Sequence, residues 1–442
     1  FERVFSTLSR ARGFLPSSRT GRSSCLLHWV ARATLGPERR LDAALVALSP
    51  VLLVFMAWNA IFSYSHSLLN GLFVIVTFGV LVKILASGRG RWYVALGVVV
   101  GLGVLTKYSY LMFLLGVMGA AFSIAEVRAR LHVGRVLAAL ALAVLICAPH
   151  VWWLAGKLEH LQEVVNYKLQ MTEDVPYLSG MAKGLWNIVR AAFAFMSPLW
   201  LVLVLMFPMF VKAAQTDQPR AIEAALLGRA FVIVLALMVA MVVLGGATQF
   251  RPNYLFLMIL FPLWVFLRLP GEAEPGKRRR LYGALLLGAV GLSVGIMAGK
   301  AMVDPQRCKK CQMFMPYEDI ARALQERGFT GGTLFGAWHP APLPGNLAMY
   351  MDEARAVSKK FRAVRPPHRG APGQCLTVWV AQEQGGPETD HMLSLTEETF
   401  VLGIDRQKPV PMGRLKIPLY RIKDRYVLID YLLLDPGAGD CR

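Results

Sequence analysis

The sequence predicts a polytopic α-helical membrane protein of about nine transmembrane helices followed by a small α/β domain. Three observations predict it. Of the 442 residues, 55% are hydrophobic. They gather between residues 42 and 303 into runs long enough to cross a hydrocarbon core ~30 Å thick, which takes about 20 apolar residues per helix. The net charge of +20 is segregated: the tail from residue 304 is close to neutral, so the excess sits around and between the apolar runs. Every backbone polar group in lipid must be satisfied internally, and apolar runs of this length do so as helices.

Residues 1–41 form a basic N-terminal segment with Arg19, Arg22, Arg32, Arg39 and Arg40. Its first 25 residues are rich in Arg and Ser and poor in acids. That pattern suits a cytoplasmic flank, a transit peptide, or a chain whose earlier spans lie upstream. Spans are expected at 42–62, 68–86, 92–106, 108–126, 135–153, 191–211, 229–247, 253–268 and 282–303. The third and fourth are short and nearly contiguous, as in a tight hairpin or broken helices. Between the fifth and sixth lies a long connection, 154–190. There Leu158, Leu161, Val164, Val165 and Leu169 repeat at near-helical spacing, which predicts a helix along the membrane surface. Thr172-Glu173-Asp174 and Pro176 end it, and a second amphipathic piece runs from Met181 to Ile188. Such a connection can roof a cavity open to the bilayer.

The tail, 304–442, alternates helix and strand signals: helix from Pro316 to about Arg327 with acids in its first turn, strand 333–337, helix 345–354, and strands 376–381 and 426–434. No phosphate loop, triad spacing or metal-ligand cluster occurs in it, so it is expected to assist binding rather than perform chemistry. Cys308, Cys311, Cys375 and Cys441 lie in this tail. Four cysteines allow up to two disulfides in three pairings, while Cys308-Lys-Lys-Cys311 also fits half a metal site or a redox pair.

Cations cluster in alternate connections, at Arg89 and Arg91, at Arg128, Arg130 and Arg135, at Lys212, Arg220 and Arg229, and at Lys277 to Arg280. The positive-inside rule then places the N-terminus in the cytoplasm and the tail outside. This segregation excludes a uniformly basic nucleic-acid binder.

Against that bias, a few polar residues interrupt the exterior ends of the apolar runs. Lys107 and Tyr108 follow Gly101-Leu-Gly-Val-Leu-Thr106, Arg251 lies in Thr248-Gln249-Phe-Arg-Pro-Asn253-Tyr254, His66 in Ser63-Tyr-Ser-His-Ser67, and His150 in Pro149-His-Val-Trp-Trp153. Ionisable residues at membrane depth face a cavity or a partner. The natural partner of Lys107 and Arg251 is an anionic phosphate, which arginine binds bidentately. Snorkelling to ordinary membrane lipids is the plainer explanation of each cation.

Leu48-Ser-Pro50, Gly101-Leu-Gly-Val-Leu-Thr-Lys-Tyr108, Ala148-Pro-His-Val-Trp-Trp153 and Phe250-Arg-Pro-Asn-Tyr254 with Pro262 stand in the order and spacing of bacterial GT-C glycosyltransferases. The chain resembles the group related to protein O-mannosyltransferases and lipid A aminoarabinose transferases from about residue 26 to 303. The resemblance implies a multi-pass protein of the bacterial inner membrane with a periplasmic C-terminal domain. It implies transfer of a sugar, with inversion, from a polyprenyl-phosphate donor to a lipid, glycan or protein acceptor. By resemblance Lys107 and Arg251 hold the leaving phosphate, while Tyr108, His150, Gln249, Asn253 and Tyr254 orient it or the sugar. The family's catalytic Asp lies in a first exterior loop after a first span, and this sequence has no counterpart of either. His66, Glu173 and Asp174 are the candidates left for the base. The sequence names no cofactor and leaves a divalent metal open. Two other classes stay open: a non-catalytic relative that binds polyprenyl phosphate, and a lipid or solute transporter, which would show paired repeats.

Overall fold

The computed structural model describes residues 16–53, 66–156, 165, 169, 176–212, 221–250, 255–270, 276–307, 314–336, 343–357, 373–381, 389–404, 412–420, 422 and 424–434. The chain divides into two compact units, one reaching Gly295 and the other built mainly from Ile296 onward.

The first unit is helical. In chain order its helices are α1 (Pro16–Leu35), α2 (Arg40–Leu48), α3 (His66–Ser87), α4 (Gly90–Thr106), α5 (Ser109–Ser123), α6 (Ala125–Arg130), α7 (Val133–Ala155), α8 (Tyr177–Met196), α9 (Leu199–Met206), α10 (Ala221–Val243), α11 (Phe261–Arg268) and the part of α12 (Lys277–Arg307) that precedes Ile296, with a further helical turn at Met209–Lys212. Four are individually long and apolar enough to cross a membrane: α3, α7, α10 and Lys277–Gly299 of α12. Three shorter apolar helical stretches join them, Gly90–Thr106, Ser109–Ser123 and Phe256–Arg268. On α7, Val133, Leu137, Val144, Leu145 and Val151 are exposed while Ala139, Ala143 and Cys147 are buried. A helix with its large apolar side chains outward and its small ones inward is built for a lipid surround.

Several expected boundaries move. The first expected span, 42–62, is interrupted, because α2 stops at Leu48 and a 3-10 turn follows at Ser49–Leu52. Pro50 lacks the N–H that an α-helix would use there. Residues 54–65 lie outside the described set. The expected span 191–211 is instead the end of α8, a break at Ser197-Pro198, and the short α9. The flank 1–41 contains α1, whose Leu27, Val30, Ala31 and Leu35 are fully buried in the same core as Phe78, Tyr110 and Phe266.

Close approach of α4 and α7 rests on small residues. A Cβ on Gly97 would lie 2.6 Å from the Ala139 carbonyl oxygen, and one on Gly101 2.9 Å from Ile146 Cβ. The pair Gly97/Gly101 faces Ala139/Ala143, a small-residue interface at four-residue spacing on both helices. Gly97→Leu is therefore expected to push the helices apart and destabilise the protein by about 1–3 kcal/mol. Thermal unfolding in detergent checks this against Gly134→Leu, where nothing lies within 4 Å.

The arginines that mark alternate connections have a structural job as well. The last carbonyls of a helix have no intrahelical partner. Arg128 donates to the Phe122 carbonyl at 2.6 Å, Arg229 to Ser123 at 2.6 Å, Arg135 to Gly88 at 2.6 Å, and Arg39 to Phe266 at 2.8 Å. Cations at helix C-termini also complement the helix dipoles.

The second unit is a five-stranded sheet with helices on both faces. Its strands are β1 (Gly332–Phe335), β2 (Ala354–Val357), β3 (Gln374–Ala381), β4 (Met412–Pro418) and β5 (Tyr426–Leu434), in the order β2-β1-β3-β5-β4. β1 runs parallel to β2 and β3, whereas β3–β5 and β5–β4 are antiparallel. Side chains alternate between faces along a strand. Leu376 and Val378 enter the core that holds Ile320 and Leu324 of α13 (Tyr317–Glu326) and Leu343 and Leu347 of α14 (Leu343–Leu347). Cys375 and Trp379 enter the other, with Met392 and Phe400 of α15 (Thr389–Phe400). The helix expected at 345–354 is the short α14, and the chain turns into β2 at Ala354. Cys375 is one half of a disulfide. Cys308, Cys311 and Cys441 lie outside the described residues, while Cys25 and Cys147 are free thiols.

Candidate functional site

The site grows from the turn between α4 and α5. α4 ends at Thr106, whose hydroxyl donates to the Gly103 carbonyl at 2.6 Å, and Lys107 follows in extended conformation (φ −169°, ψ 133°). Successive side chains on extended backbone point to opposite sides, and the two neighbours here part company. Lys107 turns inward: its Nζ donates to Ser67 Oγ of α3 at 3.1 Å and lies 5.9 Å from the centre of the Phe256 ring. The ammonium thus has a hydroxyl and an aromatic ring among its neighbours, an environment that stabilises a cation.

Tyr108 turns outward to α7. Its hydroxyl and His150 Nε2 are 2.8 Å apart, and the His150 ring stacks on Trp153 with centroids 5.7 Å apart. Trp152 beside it is exposed. Of the expected donor-binding residues, Lys107 thus sits with α3 and Phe256, whereas Tyr108 sits with His150 and Trp153.

Below Lys107, α3 carries more polar groups. Ser67 and Asn70 are both buried, and Asn70 Nδ2 approaches Ser109 Oγ of α5 at 3.4 Å. Deeper still, Thr77 Oγ1 and the Tyr110 hydroxyl are 2.5 Å apart. Sequence reasoning missed Ser67, Asn70, Ser109 and Phe256. The available signal was two polar residues spaced i, i+3 at the start of an apolar run, one face of one helix.

His66 opens α3 and is exposed, one residue before Ser67. Gln249 is half-buried; its backbone N–H and that of Thr248 both donate to the Leu169 carbonyl at 3.0 Å. Asn187 Nδ2 of α8 donates to the Thr248 carbonyl at 2.8 Å. Leu169 and Asn187 thereby hold the segment Thr248–Gln249. Arg251, Asn253, Tyr254, Glu173 and Asp174 lie outside the described residues. Among the described residues, no three His, Cys, Asp or Glu side chains converge as metal ligands.

Comparison with known proteins bears on this arrangement. Residues 21–153, which run from within α1 nearly to the end of α7, match the family described as dolichyl-phosphate-mannose-protein mannosyltransferase. The chain is 23% identical over 372 residues to the lipopolysaccharide core galacturonosyltransferase RgtB of Rhizobium johnstonii, covering 81% of this chain and 73% of that protein. It is 24% identical over 300 residues to the core galacturonosyltransferase RgtA of the same organism, covering 65% of this chain and 57% of the relative. The matched segment contains Ser67, Lys107, Tyr108 and His150. With these relatives and its apolar helices, the chain is similar to membrane glycosyltransferases of the GT-C type.

Proposed function

We propose that the protein moves a sugar from a polyprenyl-phosphate donor to a glycan or lipid acceptor at the exterior face of a bacterial inner membrane. The expected topology is multi-pass with about nine spans, a cytoplasmic N-terminus and a periplasmic tail. The observation that carries the reading is Lys107, an ammonium near a buried hydroxyl and an aromatic ring at the turn of an apolar hairpin, within the segment that matches the mannosyltransferase family.

In this reaction the acceptor hydroxyl oxygen bonds to the anomeric carbon from the face opposite the phosphate. The bond from that carbon to the phosphate oxygen breaks, and polyprenyl phosphate departs with the bonding electrons. Negative charge accumulates on the departing oxygen, so a cation already in place lowers the barrier. Lys107 fills that role with Arg251 as its second cation. The acceptor proton goes to a base. His66, exposed beside Ser67, is the candidate among the described residues, and an imidazole suits proton transfer near neutral pH. Glu173 and Asp174 are the alternatives. Tyr108, His150, Gln249, Asn253 and Tyr254 orient donor or acceptor.

Both relatives are named as galacturonosyltransferases of the lipopolysaccharide core. A galacturonosyl donor and a core-glycan acceptor are accordingly the first pair to try. The test is purified protein with radiolabelled polyprenyl-phosphate sugars and a core acceptor. Turnover supports the reading, whereas binding without turnover gives the non-catalytic relative and movement of lipid between leaflets gives a transporter. Arg251→Ala is expected to abolish turnover with membrane insertion intact. Full transfer by that variant removes Arg251 from the phosphate site.

A further inference from the structure

Asn70 is 2% exposed, and its Oδ1 has no hydrogen-bond partner among the described residues. A bare amide oxygen in an apolar helical unit is costly, because no bulk water reaches it. It sits one turn into α3 from Ser67, about 4.5 Å along the axis and on the same face. Ser67 in turn holds the Lys107 ammonium. Hydroxyl, amide and ammonium therefore form one polar track leading inward from the exterior end of α3, with Ser109 beside the amide.

We propose that Asn70 is a specificity-determining residue that hydrogen-bonds a hydroxyl of the donor sugar. This rests on the glycosyl-transfer reading above. The chemistry selects a hydroxyl over a phosphate. An ionised phosphate diester has only acceptor oxygens, which an amide oxygen repels, and Lys107 offers that group a better partner. The Ser109 hydroxyl either donates or accepts, so either edge of the amide can face it. A sugar hydroxyl likewise satisfies whichever edge stays open. A site built to hydrogen-bond a substrate hydroxyl discriminates strongly against a ligand that lacks it.

The experiment compares binding of polyprenyl-phosphate galacturonose and of bare polyprenyl phosphate to detergent-purified wild type, Asn70→Leu and Asn70→Ser. Wild type is expected to prefer the sugar-linked lipid. Asn70→Leu is expected to lose about tenfold or more of that preference while holding the bare lipid as wild type does. Asn70→Ser, which keeps a small hydroxyl, should lose less and serves if the leucine variant does not fold. Equal weakening of both lipids, or no change in the preference, overturns the proposal and leaves Asn70 as a structural amide bridged by water. Absence of any preference in wild type overturns it too. Wild type that binds neither lipid and transfers no sugar brings down the glycosyl-transfer reading itself, an outcome distinct from an altered ratio in the variants.

Discussion

Lys107→Gln is expected to lower sugar transfer by about 10²–10³-fold, as when one preorganised oxyanion partner is removed. Glutamine retains a donor for Ser67 and much of the aliphatic stem, so the variant removes charge more than shape. The loss should fall mainly on kcat, because the charge on the bridging phosphate oxygen develops only as the sugar departs. Lys107→Arg keeps the charge but brings a broader, planar head beside Ser67 and the Phe256 ring. It should recover part of the rate, which a purely steric role of Lys107 would not allow. The measurement is initial transfer from labelled polyprenyl-phosphate sugar, with thermal unfolding as a check on folding. Transfer by Lys107→Gln equal to wild type makes Lys107 a snorkelling lysine that contacts ordinary lipid headgroups.

Much of the helical unit was legible in the sequence because long apolar runs leave few alternatives in lipid. Helices α3, α4, α5, α7, α10 and α12 all lie on such runs. The misses have separate causes. Helix α1 carries Arg19, Arg22 and Arg32, which lowers its mean hydropathy, yet Leu27, Val30, Ala31 and Leu35 keep helical spacing on one buried face. Periodicity would have found it where an apolar count did not. Pro198 was visible inside the expected span 191–211 and marks the break between α8 and α9. In the tail, the long strands β3 and β5 were plain. The edge strands β2 and β4 were not, since one is four residues long and the other alternates Arg414 and Lys416 with Leu415 and Ile417. Helix α15 was hidden by its Thr, Ser and Glu content.

The site was legible as a list and not as an arrangement. Lys107 and Tyr108 drew notice together because they are neighbours that follow an apolar run. Only the extended backbone at Lys107 shows that they serve opposite sides. Their partners Ser67 and His150 lie 40 and 42 residues away along the chain, and no local pattern encodes such pairings.

Asp42→Ala is expected to destabilise the protein by about 3–5 kcal/mol, the cost of leaving buried charge uncompensated. Its carboxylate bridges two arginines: Oδ2 accepts from Arg39 Nε at 2.7 Å, and Oδ1 accepts from Arg279 Nε at 2.7 Å. All three side chains are nearly dry, at 6% exposure for Asp42, 10% for Arg39 and 7% for Arg279. Each guanidinium also donates to a carbonyl, Arg39 to Phe266 and Arg279 to Pro270. The carboxylate thus ties the start of α2 to the end of α11 and the start of α12. Alanine leaves two cations facing each other across the vacated space, and their repulsion adds to the lost hydrogen bonds. Arg40→Ala is the matched control, since Arg40 is exposed in the same turn of α2 and its loss should shift stability by no more than about 0.5 kcal/mol. Thermal unfolding in detergent compares the two. A shift for Asp42→Ala no larger than that of Arg40→Ala shows that water reaches the arginines and screens them, and that packing alone holds these three helix ends together.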